Sequence, residues 1–304
     1  MSEKMYPGQD AVVAKGWLGA HRWLLLRRLS QLVILFFFLA GPFWDVWIVK
    51  GSLTSSLTLG VLPLSDPFVV LQSFFAGHVI AGTALIGAAI VFAFYALIGG
   101  RVYCSFVCPM NVVTDTSSWL ARKFDLPKGW QPSKDARLWA LGSVMIMALI
   151  TGVMAWEMLN PVTMLHRGLV YGMGYVWTIA LAIFIFDIVV SRRGWCGHLC
   201  PMGAFYGLLG KASVLRVSAA KRHDCNDCMD CFDVCPEPHV ITPALRGAQT
   251  NTGPLILSGD CTNCGRCMDV CAKDVFSFST RFNNVILKND DHNNTIDSST
   301  QHAA

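Results

Sequence analysis

Apolar residues in this chain gather into long, nearly uninterrupted runs instead of short alternating or one-sided helical stripes. Four runs are long enough to cross a bilayer core of about 30 Å, which takes roughly 20 helical residues. The expected spans are about 29–49, where Asp45 is the one charge, 77–98, 138–158 and 168–190. The second lies within a stretch from Phe68 to Gly100 that has no Asp, Glu, Lys or Arg. Such helices satisfy every backbone group internally, as lipid demands. Polar residues fall outside the runs: an arm over 1–28, a cysteine-rich stretch over 216–282, and a tail over 283–304 rich in Asn, Asp, Ser and Thr. The tail has no apolar period and is expected to be disordered. The pattern predicts an all-α, four-helix transmembrane domain over 29–215 followed by a small separate domain.

Composition agrees. Of 304 residues 53% are hydrophobic and only 14% charged, with a mean hydropathy of +0.46; a soluble domain carries about 25% charged residues. The net charge of +4 gives no nucleic-acid footprint, because the basic residues sit beside the apolar runs. Their placement sets orientation. Five lie in the N-terminal arm (Lys4, Lys15, Arg22, Arg27, Arg28), six between the second and third spans (Arg101, Arg122, Lys123, Lys128, Lys134, Arg137) and six in the first stretch after the fourth, up to residue 222 (Arg192, Arg193, Lys211, Arg216, Lys221, Arg222). The other two loops hold one each, Lys50 and Arg167. Both termini are therefore expected on the cytoplasmic side of a multi-pass protein. The first span lacks a small-residue cleavage site and reads as an anchor.

All twelve cysteines fall in regular spacings. Cys225-x2-Cys228-x2-Cys231-x3-Cys235-Pro236 and Cys261-x2-Cys264-x2-Cys267-x3-Cys271 have the spacing of bacterial two-cluster ferredoxins. Three thiolates of each run wrap one cubane while the fourth reaches the other. That predicts two [4Fe–4S] clusters in an α+β ferredoxin-type domain, one on Cys225, Cys228, Cys231 and Cys271, the other on Cys261, Cys264, Cys267 and Cys235. Zinc sites show paired ligands and not runs of four, and disulfides are disfavoured on the reducing cytoplasmic side. Ala272 stands where the first run has Pro236.

The remaining four form Cys104-x3-Cys108-Pro109 and Cys196-x3-Cys200-Pro201, one after each even-numbered span. The chain thus reads as a 2+2 internal repeat with the motifs at 104–109 and 196–201. Proline favours a first helical position, so helices are expected to start at Pro109 and Pro201, with thiol pKa values lowered by the helix end. The four thiols suit a redox dithiol pair, a metal or cluster site, or buried inert cysteines beside a structural proline. There is no Cys-x-x-Cys-His for covalent haem and no G-x-G-x-x-G or Walker motif.

Were the chain to handle a quinol, proton acceptors would be needed near the outer surface; the candidates are Asp45, His78, Glu157 and His166. Each is equally at home solvated among headgroups. Asp187 is expected to pair with Arg192 or Arg193 at the inner surface.

Taken together, the spans, the paired C-x3-CP motifs and the two-cluster runs resemble the NapH-type family of polyferredoxin membrane proteins. The likeness extends from about Lys15 to Phe282. It is carried by Gly41-Pro42, Leu64-Ser65-Asp66-Pro67, Leu71-Gln72-Ser73, Gly194-Trp195-Cys196-Gly197-His198, Cys228-Met229-Asp230-Cys231 and Cys235-Pro236-Glu237-Pro238-His239. The resemblance implies a bacterial inner-membrane electron-transfer subunit, not a complete enzyme alone. It would pass electrons from membrane quinol toward a periplasmic nitrate reductase. Implied partners are a periplasmic NapG-like ferredoxin, a membrane tetrahaem NapC-like cytochrome c and a cytoplasmic NapF-like ferredoxin. The alternative is a maturation factor supplying electrons for assembly of a metalloenzyme.

Overall fold

The computed structural model describes residues 6–283 except 128, 131, 173–175 and 251; the expected tail beyond Asn283 lies outside the described residues. The chain is mostly helical. In order it forms α1 (Gln9–Trp44), β1 (Val49–Gly51), β2 (Ser55–Thr58), β3 (Leu62–Ser65), α2 (Pro67–Phe75), α3 (Gly82–Ile98), α4 (Met110–Lys123), α5 (Ala136–Thr151), α6 (Ala155–Leu159), α7 (Pro161–Tyr171), α8 (Val176–Val189), α9 (Pro201–Gly210), β4 (Leu215–Ser218), α10 (Asp230–Val234), α11 (Ile241–Arg246), α12 (Arg266–Val270) and β5 (Ser277–Thr280). Contacts divide it into two units. One comprises Met1–Arg27, Ala96–Val102 and Leu209–Ala304; the other comprises Arg28–Tyr95 and Tyr103–Leu208.

Among the described residues one helix, α1, is both long and apolar enough to cross a bilayer; α3, α5 and Trp177–Val189 are shorter apolar helices. The expected boundaries shift for identifiable reasons. Instead of starting near 29, α1 begins at Gln9, breaking its helical geometry at Gly16 (φ 75°, ψ 167°). It stops at Trp44, before Asp45 in the left-handed region. The segment that follows is not helical. Its Ser- and Thr-rich residues form the antiparallel sheet β1–β2–β3, with Val49 opposite Thr58 and Ser55 opposite Ser65. The stretch expected to end at 158 ends at Thr151, where left-handed Gly152 supplies the C-cap. Asn160 then caps α7 by accepting the Val162 N–H at 3.0 Å, with Pro161 in the first turn. Gly172 ends α7, and α8 covers only 176–189 of the expected 168–190.

The cysteine-rich unit is built on the β4–β5 pair, with Leu215 opposite Thr280 and Ser218 opposite Ser277. Its core packs Val217, Val234, Ile241, Leu245, Ile256, Val270, Val275 and Phe276 around Cys231 and Cys267. Two segments distant in sequence fasten to it. Asn263 Nδ2 donates to the carbonyls of Ile98 (2.9 Å) and Leu215 (3.1 Å). Arg101 Nη1 donates to Glu237 Oε1 (2.8 Å) and the Asp260 carbonyl (3.0 Å), and both side chains of this ion pair are 2% exposed. The N-terminal arm docks as well. Gly8 N–H donates to Asp230 (2.8 Å), and the N–H groups of Trp23 and Leu24 each donate to buried Asp269 at 3.0 Å. Lys15 donates to the Met268 carbonyl (3.1 Å) and pairs with Asp274.

Candidate metal centres

The two cysteine runs adopt the same backbone. Asp227 (φ 52°) and Asn263 (φ 46°), each just before a second cysteine, are left-handed; so are Met229 (φ 66°) and Gly265 (φ 71°), each just after. Asp and Asn visit this region readily and glycine freely, whereas Met229 is strained there. Each pair of left-handed residues curls its loop into the short helix that follows, α10 or α12. A Cβ on Gly265 would enter the Trp23 ring, so the second run needs glycine for space too.

This curling gathers the thiols into two sets. Cys225, Cys228, Cys231 and Cys271 line one cavity together with Phe232 and Phe276. Cys231 lies within electrostatic reach of Cys228, Cys271 and Cys225; Cys267 lies within reach of Cys264, Cys235 and Cys261. The donors are all sulfur, the chemistry that iron–sulfur clusters use. Burial pushes the Cys231 and Cys261 thiols up to about 12 and raises Cys228 and Cys267 too. Arg216 and Arg101 pull Cys261 the other way, while at Cys228 the Asp230 backbone N–H opposes the rise and the Asp230 carboxylate adds to it. Among the described residues no group of three or more His, Cys, Asp or Glu converges to hold a single metal ion.

In the other unit the two C-x3-CP motifs share a geometry. Tyr103–Val107 and Trp195–Leu199 are π-helical turns. They are closed by Cys108 N–H donating to Tyr103 O (3.0 Å) and Cys200 N–H donating to Trp195 O (2.9 Å). Helices α4 and α9 then start at Met110 and Pro201. Such π turns favour functional sites. The two motifs lie near one another: Cys108 is within electrostatic reach of Cys104 and Cys200, and Cys196 within reach of Cys108, Cys200 and Cys104. The expected lowering is overturned at Cys108, where burial outweighs the helix end and pushes the thiol up; burial pushes the Cys196 thiol up as well. Asp115 braces the two halves, pairing with Arg28 (2.7 Å) and Arg193 (2.9 Å). Asp187 lies within electrostatic reach of Arg193, one of its two expected partners, but it is fully buried and accepts the Trp195 N–H at 3.1 Å.

The four outer-face candidates are scattered. Asp45 is exposed and accepts from Trp47 Nε1. His78 is exposed in the link before α3 and does not open that helix. Glu157, half-buried in α6, faces Arg167 at 3.9 Å. His166 is buried with its ring edge-on to Phe38 at 5.1 Å, and burial lowers its pKa.

None of the four lines the cavity that does occupy this unit. About 250 Å³ in volume, it is walled by apolar residues such as Ile34 and Val91 and by Asp66, Tyr95, Tyr103 and Tyr206. Asp66 Oδ1 caps α2 by accepting the Phe68 N–H (2.9 Å) and also accepts from the Tyr206 hydroxyl (3.2 Å). Tyr103 and Tyr206 stack at 5.1 Å, with Tyr95 edge-on to both. Burial, helped by the nearby Glu157 carboxylate, pushes the Asp66 carboxyl up to about 7 against hydrogen bonds from Phe68, Tyr206 and Val69. Asp66-Pro67 before an apolar run is a cap signal legible in the sequence; its burial is not.

Matched cysteine loops in a small α+β unit define an iron–sulfur protein of the ferredoxin type. Residues 224–275 match the 4Fe-4S dicluster domain, and 80–127 and 173–220 each match a 4Fe-4S binding domain. The chain is similar to the methylamine utilization ferredoxin-type protein MauN of Methylorubrum extorquens, 51% identical over 90% of this chain and 94% of that protein. MauN of Paracoccus denitrificans is 53% identical over 89% and 95%. The ferredoxin-type protein NapH of Escherichia coli is 45% identical over 92% and 97%. The chain belongs to this NapH/MauN family of ferredoxin-type electron-transfer proteins. No solved structure matches it.

Proposed function

We propose that this chain is the membrane subunit of a quinol dehydrogenase, passing electrons from quinol through two [4Fe–4S] clusters to a periplasmic oxidoreductase. The observation that carries it is the pair of all-thiol sets, each fixed by the same left-handed loop. Cys225, Cys228, Cys231 and Cys271 would hold one cluster and Cys261, Cys264, Cys267 and Cys235 the other. Bound there, the clusters supply one-electron redox chemistry. The chain's own part is to bury the thiols and set unlike charges beside the two sets, with Arg101 and Arg216 near Cys261 and Asp230 near Cys228.

The membrane half of the reading is four spans built on α1, α3, α5 and α8, with both termini in the cytoplasm. It is supported by large apolar side chains that are half or more exposed: Leu85, Ile86 and Phe94 on α3, Leu149 and Ile150 on α5, Leu181 and Ile185 on α8. It is supported too by the Lys and Arg asymmetry.

NapG-like, NapC-like and NapF-like proteins are the partners that a role in nitrate reduction would require. A second reading has its own support: identity to three methylamine utilization proteins is 47–53%, against 45% to NapH of Escherichia coli. In it the same electron-transfer chain serves methylamine metabolism. A host strain lacking this chain, tested separately for nitrate-dependent and methylamine-dependent growth, separates the two. Growth loss on nitrate alone supports the first reading, and on methylamine alone the second. A maturation role predicts that the dependent oxidoreductase, purified from that strain, lacks its cofactor. The electron-transfer role predicts that it is mature and active with an artificial donor.

A further inference from the structure

We propose that the cavity walled by Asp66, Tyr103 and Tyr206 binds the ring of a quinol, with the Asp66 carboxylate accepting a hydrogen bond from one ring hydroxyl. This rests on the quinol-oxidising reading above and adds where the quinol goes.

Three features of the cavity point to such a ring. Capping α2 uses only Oδ1 of Asp66; Oδ2, on a side chain 4% exposed, has no hydrogen-bond partner among the described residues. The hydroxyl of Tyr103, also 4% exposed, is likewise without a partner among the described residues. A buried polar atom left unpaired costs about 1–3 kcal/mol, so two in one small cavity ask for a ligand or water that pairs them. They are a carboxylate acceptor and a phenol that both donates and accepts, matched to a flat molecule carrying oxygen at both ends.

The walls agree with that shape. Mostly apolar apart from Ser56, Thr58 and Ser65, the rest of the cavity presents the stacked Tyr103 and Tyr206 rings as an aromatic surface. Its volume of about 250 Å³ lies just below the ~300–1,000 Å³ of ligand sites, which suits a ring headgroup whose tail lies outside. A lipid acyl chain would fill the apolar part and leave both polar atoms unpaired. Tyr103 belongs to the π turn that carries Cys104 and is closed by Cys108. The same turn therefore supplies a wall of the cavity and two of the gathered thiols. The near-neutral carboxyl of Asp66 suits a group that exchanges a proton with a bound hydroxyl.

The test uses the full chain in lipid nanodiscs, with binding of decylubiquinone and menadione, in oxidised and reduced forms, measured by equilibrium dialysis. Iron per chain serves as the folding control. Asp66→Asn keeps a capping oxygen but removes the charge, and Tyr103→Phe removes one hydroxyl. Val91→Trp fills the cavity without touching either group. The expected result is saturable binding of at least one quinol to the unaltered chain, weakened about 10-fold or more by Asp66→Asn, less by Tyr103→Phe, and abolished by Val91→Trp. Should Asp66→Asn fail to fold, Tyr103→Phe and Val91→Trp carry the same test. Saturable binding that no variant alters overturns the site while leaving the quinol-oxidising reading standing. Saturable binding that oleate displaces, with no dependence on Asp66 or Tyr103, makes the cavity a lipid site and overturns the proposal. No saturable binding of either quinol to the unaltered chain overturns both.

Discussion

The ferredoxin-type unit and the helical unit each gather cysteines, but by opposite routes. In the first, each run collects three thiols within one short loop, and one left-handed residue on either side of the second cysteine does the bending. In the second, two π turns from distant parts of the chain bring Cys104 and Cys108 near Cys196 and Cys200. The braces differ too. Arg101 and Glu237 are locked together out of water, whereas Asp115, which joins Arg28 and Arg193, is 13% exposed and its partners 27% and 13%. A local loop carries its geometry in its own sequence, while a site made by packing depends on the helices that present it.

The largest expected effect separates the two sets directly. Cys228→Ser should abolish one of two ferredoxin-type iron–sulfur EPR signals, while Cys104→Ser should leave both; unchanged signals in Cys228→Ser would sink the ligand assignment. Next comes the buried brace. Arg101→Gln takes away the buried guanidinium that pairs with Glu237, leaving the partly exposed His239 at 3.6 Å on the other Glu237 oxygen, and should cost about 3 kcal/mol, seen as a lower unfolding midpoint. Adding Glu237→Gln should recover much of the loss, because the uncompensated charge disappears. The partly exposed brace should matter less. Asp115→Asn is expected to cost on the order of 1 kcal/mol and to leave the ferredoxin signals intact. A loss as large as that of Arg101→Gln would erase the distinction drawn between the units. The smallest effect runs the other way: Met229→Gly relieves left-handed strain and should stabilise by about 1 kcal/mol, making the first loop more like the second. Destabilisation there would mean that the Met229 side chain, which lies 3.1 Å from Arg246, contributes more than its backbone strain costs.

What could be read from the sequence follows the same division. Cysteine spacing gave the iron–sulfur chemistry because the ligands sit within one loop, and the duplicated C-x3-CP motif marked two segments that fold alike. The β1–β3 sheet was hidden because its strands are three or four residues long and carry no clear apolar alternation. The ends of the third and fourth apolar runs were extended too far, since hydropathy does not register the caps at Gly152, Asn160 and Gly172. Docking of the N-terminal arm onto Asp230 and Asp269 joins residues far apart in the chain. The Asp66–Tyr206 contact does the same. At Cys108 the positive helix end does act on the sulfur, but taking the thiolate out of water costs more than the helix end returns.

The central claim is that quinol electrons reach the clusters through this chain. The full chain, loaded anaerobically with iron and sulfide in lipid nanodiscs, would be titrated with decylubiquinol and menadiol while its iron–sulfur EPR signals are followed. The account predicts that at least one of these quinols, added alone, produces reduced-cluster signals in proportion to the quinol consumed. If neither quinol reduces any cluster while dithionite reduces both, the chain does not take electrons from quinol and the claim is contradicted.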